Sequence, residues 1–273
     1  ATLVGLAAAD GLIDVDAPAP VAEWAKDERQ AVTIDHLLRM SSGLAFEEIY
    51  GAFGDATAML FMSRDTGAYA AKSPLAHTPG TEWSYSSGTT NLLARILRDR
   101  LRNAHVAYPR TRLFDPIGAE SFVFEPDASG TFVGSSFTYA TARDWARFGM
   151  LHLQDGVWEG ERVLPEGWVD RVTTPTPTNG RGEYGSQWWL NAGNEQDPTD
   201  RRFPSLPRDL YQASGFEGQA VVVVPSADLV VVRLGQTPVR GSFDLEAMLA
   251  GVLEVVERAP KPPPSTGVSY EGG

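Results

Sequence analysis

Apolar residues recur at helical spacing in several stretches of this chain and at strand-like density in one late stretch. Ala1 to Ala9 reads as a buried helix that Asp10-Gly11 stops, with glycine at the residue after the helix end. No capping residue and acidic first turn open it, so the pattern reads equally as a helix entered part-way or as one with a naturally ragged start. Thr33 to Met40 is a short helix ended by Ser41-Ser42-Gly43. Thr89 to Arg102 sets Leu92, Leu93, Ile96 and Leu97 on one face. Thr141 to Leu153 buries Trp145, Phe148, Gly149 and Leu151. Gln219 to Val224 and Leu229 to Leu234 are β-branched runs joined by Pro225-Ser226-Ala227-Asp228, a hairpin signature. Tyr184 to Leu190 predicts a third strand, Leu210 to Ala213 a short fourth, and Ser242 to Val256 a closing helix. Helices first, an antiparallel sheet late and a final helix define an α+β layout. One domain is expected over 1–258. Residues 13–180 form its mainly helical region, and 1–12 with 181–258 its sheet-and-helix region. The proline-rich run after Pro260 predicts a flexible tail over 259–273.

Composition narrows the chemistry. The 273 residues are 42% hydrophobic and 21% charged, the profile of a globular chain. The net charge of −12 is spread along the chain and argues against a nucleic-acid partner, which needs basic patches. No apolar run reaches the ~20 residues of a membrane-spanning helix, and the opening residues lack the pattern of a signal peptide. Localisation stays open. Cysteine is absent, which removes disulfides, thiolate metal sites and a cysteine nucleophile. The four histidines, His36, His77, His105 and His152, are scattered without ligand spacing, so no metal site is expected. No Gly-x-Ser-x-Gly elbow or phosphate-cradling loop occurs, and no cofactor is implied.

Two segments carry candidate chemistry. His77-Thr78-Pro79-Gly80-Thr81-Glu82-Trp83-Ser84-Tyr85-Ser86-Ser87 turns on Pro-Gly and delivers Tyr85 to a helix entrance. Taken alone, a packed aromatic explains that tyrosine better than a catalyst does. Ala213-Ser214-Gly215-Phe216-Glu217-Gly218-Gln219 places two glycines beside a strand, where a ligand can approach the backbone. An ordinary bulge gives the same pattern.

Together these residues resemble the serine β-lactamase and penicillin-binding-protein superfamily. Pro79-Gly80-Thr81 through Tyr85-Ser86-Ser87 is similar to its Tyr-x-Asn element. Leu37-Leu38-Arg39-Met40-Ser41-Ser42-Gly43-Leu44 resembles the helix and turn upstream of that element. Thr141-Ala142-Arg143-Asp144-Trp145-Ala146-Arg147-Phe148-Gly149 resembles a structural helix, and Gly156-x-Trp158 through Leu164-Pro165 follows in order. Ser214-Gly215-Phe216 falls where relatives carry Lys/His-Thr-Gly. Within the superfamily the chain looks most like 6-aminohexanoate-dimer hydrolases and β-lactamase-fold carboxylesterases.

The resemblance implies a β-lactamase/DD-peptidase-like fold, an antiparallel sheet flanked by helices plus a helical region. It implies hydrolysis of a small-molecule ester or amide through an acyl-enzyme. Tyr85 would relay protons, and the Phe216 backbone N–H would donate to the oxyanion. Ser87, Ser214, Gly215 and Tyr50 would contact substrate. Two positions depart from the family pattern. Ser87 stands for the asparagine, and Ala213 for the lysine or histidine whose charge attracts a β-lactam carboxylate, which favours esters or neutral amides.

The family's nucleophile is a serine with a lysine three residues later, on one helix face. The chain has three lysines, Lys26, Lys72 and Lys261, preceded at that spacing by Glu23, Tyr69 and Arg258. No Ser-x-x-Lys is present. By the resemblance the pair belongs ahead of Leu3, so the chain reads as truncated, inactive alone, and short of the strands that would pair one sheet edge. The alternatives are a non-catalytic binding module that keeps the cleft, or an internal nucleophile such as Ser86 or Ser214.

Overall fold

The computed structural model describes residues 1–258 apart from positions 53, 198 and 240; the tail expected over 259–273 lies outside the described residues. The helices are α1 (Thr2–Ala9), α2 (Ile34–Leu38), α3 (Asp55–Thr57), α4 (Thr66–Ala70), α5 (Ser87–Leu101), α6 (Ala142–Leu153), α7 (Trp168–Thr173) and α8 (Leu245–Arg258). Two-residue strands pair as β1 (Val123–Phe124) with β2 (Thr138–Tyr139), and β3 (Val157–Trp158) with β4 (Glu161–Arg162). The main sheet is antiparallel, in the order β5 (Trp189–Leu190), β6 (Tyr211–Ser214), β7 (Ala220–Val224) and β8 (Leu229–Arg233).

Sequence pattern explains the sheet's two faces. Alternation along β6 and β7 sends Tyr211, Ala213 and Val223 toward the large core that includes α1, α2, α5 and α7. The alternate residues Ala220, Val222 and Val224 meet Leu249 and Leu253 of α8, together with Phe203, Leu206 and Leu210. The helix α6 lies against β7 and β8 because Gly149 has no side chain. A Cβ there would sit 2.6 Å from Val230 Cγ1 and 3.1 Å from Val221 Cγ1. Among the described residues β8 pairs only with β7.

The expected Tyr184–Leu190 strand is shorter than the pattern implied. Only Trp189 and Leu190 join β6, and Tyr184 bridges back to Trp189. Gln187 takes φ +65°, a left-handed conformation no strand contains. The short helix expected from Thr33 narrows to Ile34–Leu38, because Thr33 is its cap, accepting from the His36 N–H, and Met40 has turned to φ +58°. The closing helix starts at Leu245, three residues later than expected.

His152 joins the first helix to α6. Its Nδ1 donates to the Phe148 carbonyl at 2.9 Å, which leaves Nε2 to accept the Thr2 hydroxyl at 3.2 Å. This is the neutral imidazole, packed against Phe148 and Trp188, and burial holds its pKa down at about 4.

Two predictions follow from this packing. Gly149→Ala should cost about 1–3 kcal/mol through overpacking against Val230, read as a lower denaturant midpoint; an unchanged midpoint would show that α6 can slide. For His152, the folded pKa lies below the ordinary value of 6.5. The unfolded chain therefore binds the extra proton, and stability is lost as pH falls from 6.5 toward 4. The loss is on the order of 3 kcal/mol over that window. Melting temperatures of the wild type and His152→Gln, measured from pH 7 to pH 4, should diverge in slope. Parallel slopes would assign the effect to another group.

Candidate active site

The site is built at the entrance of α5. Ser86 caps the helix, its Oγ accepting the Thr89 N–H at 3.1 Å. Leu92, Leu93, Ile96 and Leu97 anchor the helix in the core as their spacing predicts. Asn91 fixes its first turns to the loop around 134–135. The fully buried amide donates to Ser87 O at 3.0 Å and Ser135 Oγ at 2.9 Å, and accepts from Gly134 N at 3.0 Å. Ser86 is thus committed to a cap, which argues against it as an internal nucleophile.

Gly88 lets a second segment reach this helix end. A Cβ on Gly88 would lie 2.6 Å from the Phe46 ring, so only glycine lets the 44–50 loop settle there. That loop carries Glu48. One carboxylate oxygen accepts the Ser87 N–H at 2.7 Å, and the other accepts the Ser87 hydroxyl at 2.6 Å and the Tyr50 hydroxyl at 3.0 Å. A negative charge at a helix N-terminus is favourable, because the helix ends there in unpaired N–H groups. The Tyr50 and Ser87 oxygens lie 3.4 Å apart. Tyr50 is 57% exposed, yet its hydroxyl is held. Nothing in the sequence singles out Glu48. Its partner lies 39 residues along the chain, and no motif marks the pair.

Tyr85 enters an aromatic cluster. Its ring stacks on Trp189 with centroids 5.3 Å apart and meets Tyr184 edge-on at 5.9 Å. Trp83 lies 5.6 Å from Tyr184 and 6.2 Å from Trp189. The 77–85 turn is pinned by Gly80 N donating to Ser41 O and Ser84 N donating to Met40 O. Gln187, strained at φ +65°, donates to the Leu37 and Leu38 carbonyls and accepts from Thr90 of α5 at 3.0 Å. This places the tryptophan strand against the helix entrance.

Burial pushes the Tyr85 phenol up to about 12, reinforced by the Glu48 charge and by Tyr50. The phenol is therefore protonated near neutrality. It can donate a proton but is a poor base.

Tyr50, Ser87 and Tyr85 are thus brought together. Ser214, Gly215 and Phe216 form a second group. Ser214 ends β6 opposite Ala220, and Gly215 N donates to Gln219 O at 2.8 Å to close the turn. Phe216 opens the following turn with its side chain 76% exposed. The groups are linked through the sheet, because Gln212, two residues before Ser214, pairs with Trp189. No hydrogen bond or ring contact joins them directly among the described residues. An apolar cavity of about 220 Å³ lies between α1, α5 and Trp145, and a groove of about 390 Å³ lies beside His152 and Tyr211. Neither is lined by Tyr85, Ser87 or Ser214.

The fold is thus a helical region set on an antiparallel sheet, with a tyrosine-bearing helix entrance stacked on the sheet's edge strand. The beta-lactamase family profile matches residues 1–253, and the chain belongs to that family. It is 28% identical over 190 residues to the 6-aminohexanoate-dimer hydrolase of Paenarthrobacter ureafaciens, covering 65% of this chain and 45% of that protein. The chain therefore spans less than half of that curated relative. A structure from Bacillus anthracis assigned as a 6-aminohexanoate-dimer hydrolase superposes with a TM-score of 0.74 at 20% identity, over 95% of this chain and 71% of that one. A family VIII carboxylesterase gives 0.70 at 15% identity, over 93% and 80%. At these identities the two structures establish the fold.

Removing the Glu48 charge should lower the Tyr85 pKa. In Glu48→Gln, absorbance titration of the tyrosinates should show one phenol titrating earlier than in wild type. Tyr85→Phe in the same background should remove that phenol from the curve. An unchanged titration would mean that burial alone sets the value.

Proposed function

We propose that this chain carries the substrate-binding and proton-donating side of a serine hydrolase that cleaves ester or amide bonds through an acyl-enzyme. The observation that carries the reading is the arrangement at the α5 entrance. Tyr85 is packed, protonated and stacked on the sheet edge, beside Ser87 and Tyr50.

In this reading the acyl carbonyl lies between Tyr85 and the turn after β6. A serine attacks the carbonyl carbon as its lysine takes the hydroxyl proton, and the oxyanion takes a hydrogen bond from the Phe216 backbone N–H. Tyr85 gives its proton to the departing nitrogen or oxygen, the role its high pKa favours. Ser214 and Gly215 border the acyl group. Ser87 and Tyr50 spend their hydroxyl protons on Glu48, so each presents only lone pairs outward. Lone pairs recognise N–H donors. That favours amides over esters, in keeping with the name of the Paenarthrobacter relative.

The attacking serine and its lysine are not identified among these 273 residues, which contain no Ser-x-x-Lys. In this reading they are supplied from outside the sequence, and the chain alone is inactive. The same absence supports a second reading, a binding module that keeps the cleft without chemistry.

Incubation of the chain with a fluorophosphonate, followed by intact-mass measurement, should give no adduct. A single stoichiometric adduct would locate an activated serine within the chain and overturn the placement of the nucleophile. The coding sequence adjoining the chain separates the two readings: an in-frame Ser-x-x-Lys supports the hydrolase, and its absence the binding module.

A further inference from the structure

The groove of about 390 Å³ beside His152 and Tyr211 lies apart from the α5 entrance. Tyr211 opens β6 and Ser214 ends it, so the groove and the turn after β6 sit toward opposite ends of one strand. Leu153, Leu190 and Leu210 give the groove an apolar lining. Three exposed carboxylates border it, each from a different element: Asp155 after α6, Asp170 in α7 and Asp209 ahead of β6. Asp155 reaches Arg162 only at 3.5 Å. Asp209 accepts the Ser226 N–H at 2.6 Å and the Ser226 hydroxyl at 2.9 Å, which leaves it further lone pairs. The Asp170 carboxylate makes no hydrogen bond or ion pair among the described residues. The cation that lines the groove, Arg208, spends its Nε on the Ala192 carbonyl at 2.9 Å. His152 is neutral, with both ring nitrogens engaged.

Acids at a surface are by themselves only solvated charge. Tyr211 is the independent observation. It lines the groove, is 3% exposed, and meets Trp188 edge-on at 5.2 Å on its core side. Its hydroxyl makes no hydrogen bond among the described residues. Burial raises the phenol's pKa, and the charges of Asp155 and Asp209 raise it further, so the hydroxyl stays protonated in the field of those acids. A buried hydroxyl without a partner costs free energy. An ammonium N–H given to the phenol oxygen meets that need, and the surrounding carboxylates hold the charge. The acids do not converge on one point: no group of three acidic or histidine side chains among the described residues is placed to hold a metal ion. Spaced acids over an apolar floor match a cation whose charges are spaced along a methylene chain.

We propose that this groove binds a linear aliphatic polyamine. One ammonium sits on the Tyr211 hydroxyl, others reach Asp170 and the neighbouring carboxylates, and the methylene links lie over Leu153, Leu190 and Leu210. The site is independent of the acyl chemistry at the α5 entrance, and either reading stands without the other.

The test is isothermal titration of the intact chain with spermidine in about 0.15 M salt, where screening suppresses loose attraction to an acidic surface. A single saturable site is expected, with putrescine weaker and magnesium unable to displace spermidine. Tyr211→Phe keeps the ring and every charge, and should weaken spermidine about fivefold; Asp170→Asn should weaken it about tenfold. Asp99→Asn, on α5 and outside the groove, removes the same charge and should change nothing. Circular dichroism melts of each variant would show that the fold persists, and the exposed Asp170 keeps the test open should Tyr211→Phe fail to fold. Equal losses in Asp99→Asn and Asp170→Asn, or undiminished affinity in a folded Tyr211→Phe, would reduce the binding to diffuse attraction and overturn the site. Displacement by magnesium would reassign the acids to a metal ion, and failure of spermidine to bind would overturn the proposal outright.

Discussion

Trp189 is held between the sheet and the helix entrance, and its contact with Tyr85 is what makes a site of two otherwise separate regions. The indole belongs to β5, the edge strand, while the phenol arrives on the Pro-Gly turn ahead of α5. Aromatic rings suit this joint. They bury a large area, have two side-chain torsions each, and so fix position with little entropy to lose. The cost falls on the backbone nearby. Gln187 is held in a left-handed conformation so that its amide can tie α2 and α5 together. With that strain carried there, the next residues emerge with Trp188 in the core and Trp189 stacked on Tyr85.

The electrostatics of the entrance follow from Glu48. Its carboxylate sits at the positive end of α5 and takes three hydrogen bonds, from Ser87 N–H, Ser87 hydroxyl and Tyr50 hydroxyl. Beside Tyr85 it raises the phenol's pKa, after the larger effect of burial. A tyrosine that accepts a serine's proton needs the opposite field, a cation close by. The field present suits proton donation and the recognition of N–H groups. A phenol in this field holds its proton near neutrality, and turning it into a base would need a cation brought close to it.

Much of the fold was legible because its signals are local. The β7–β8 hairpin, α5 and α6 carry periodicity and caps within a dozen residues each, and they stand close to where the pattern put them. The failures have physical causes. Two-residue strands such as β1–β2 and β3–β4 are too short to show alternation, and α7, six residues long, offers less than two turns of pattern. The stretch from Tyr184 to Leu190 mimicked a strand because its aromatics are buried, but they are buried on different sides of a strained turn. Tyr85 was visible from its motif. Glu48 was not, because it acts on a residue far along the chain and belongs to no recurring spacing.

The family pattern and this chain part company at Ala213 and Ser87, and the structure gives the two departures one logic. Ala213 carries no charge on β6, while the Arg202 guanidinium lies over the Trp189 ring from the loop between β5 and β6. Loss of the asparagine amide removes a group that both donates and accepts, and a serine locked to a carboxylate takes its place as an acceptor. A strand-borne lysine approaches a ligand as a flexible point charge, whereas an arginine lying on a ring presents a planar edge at a fixed height.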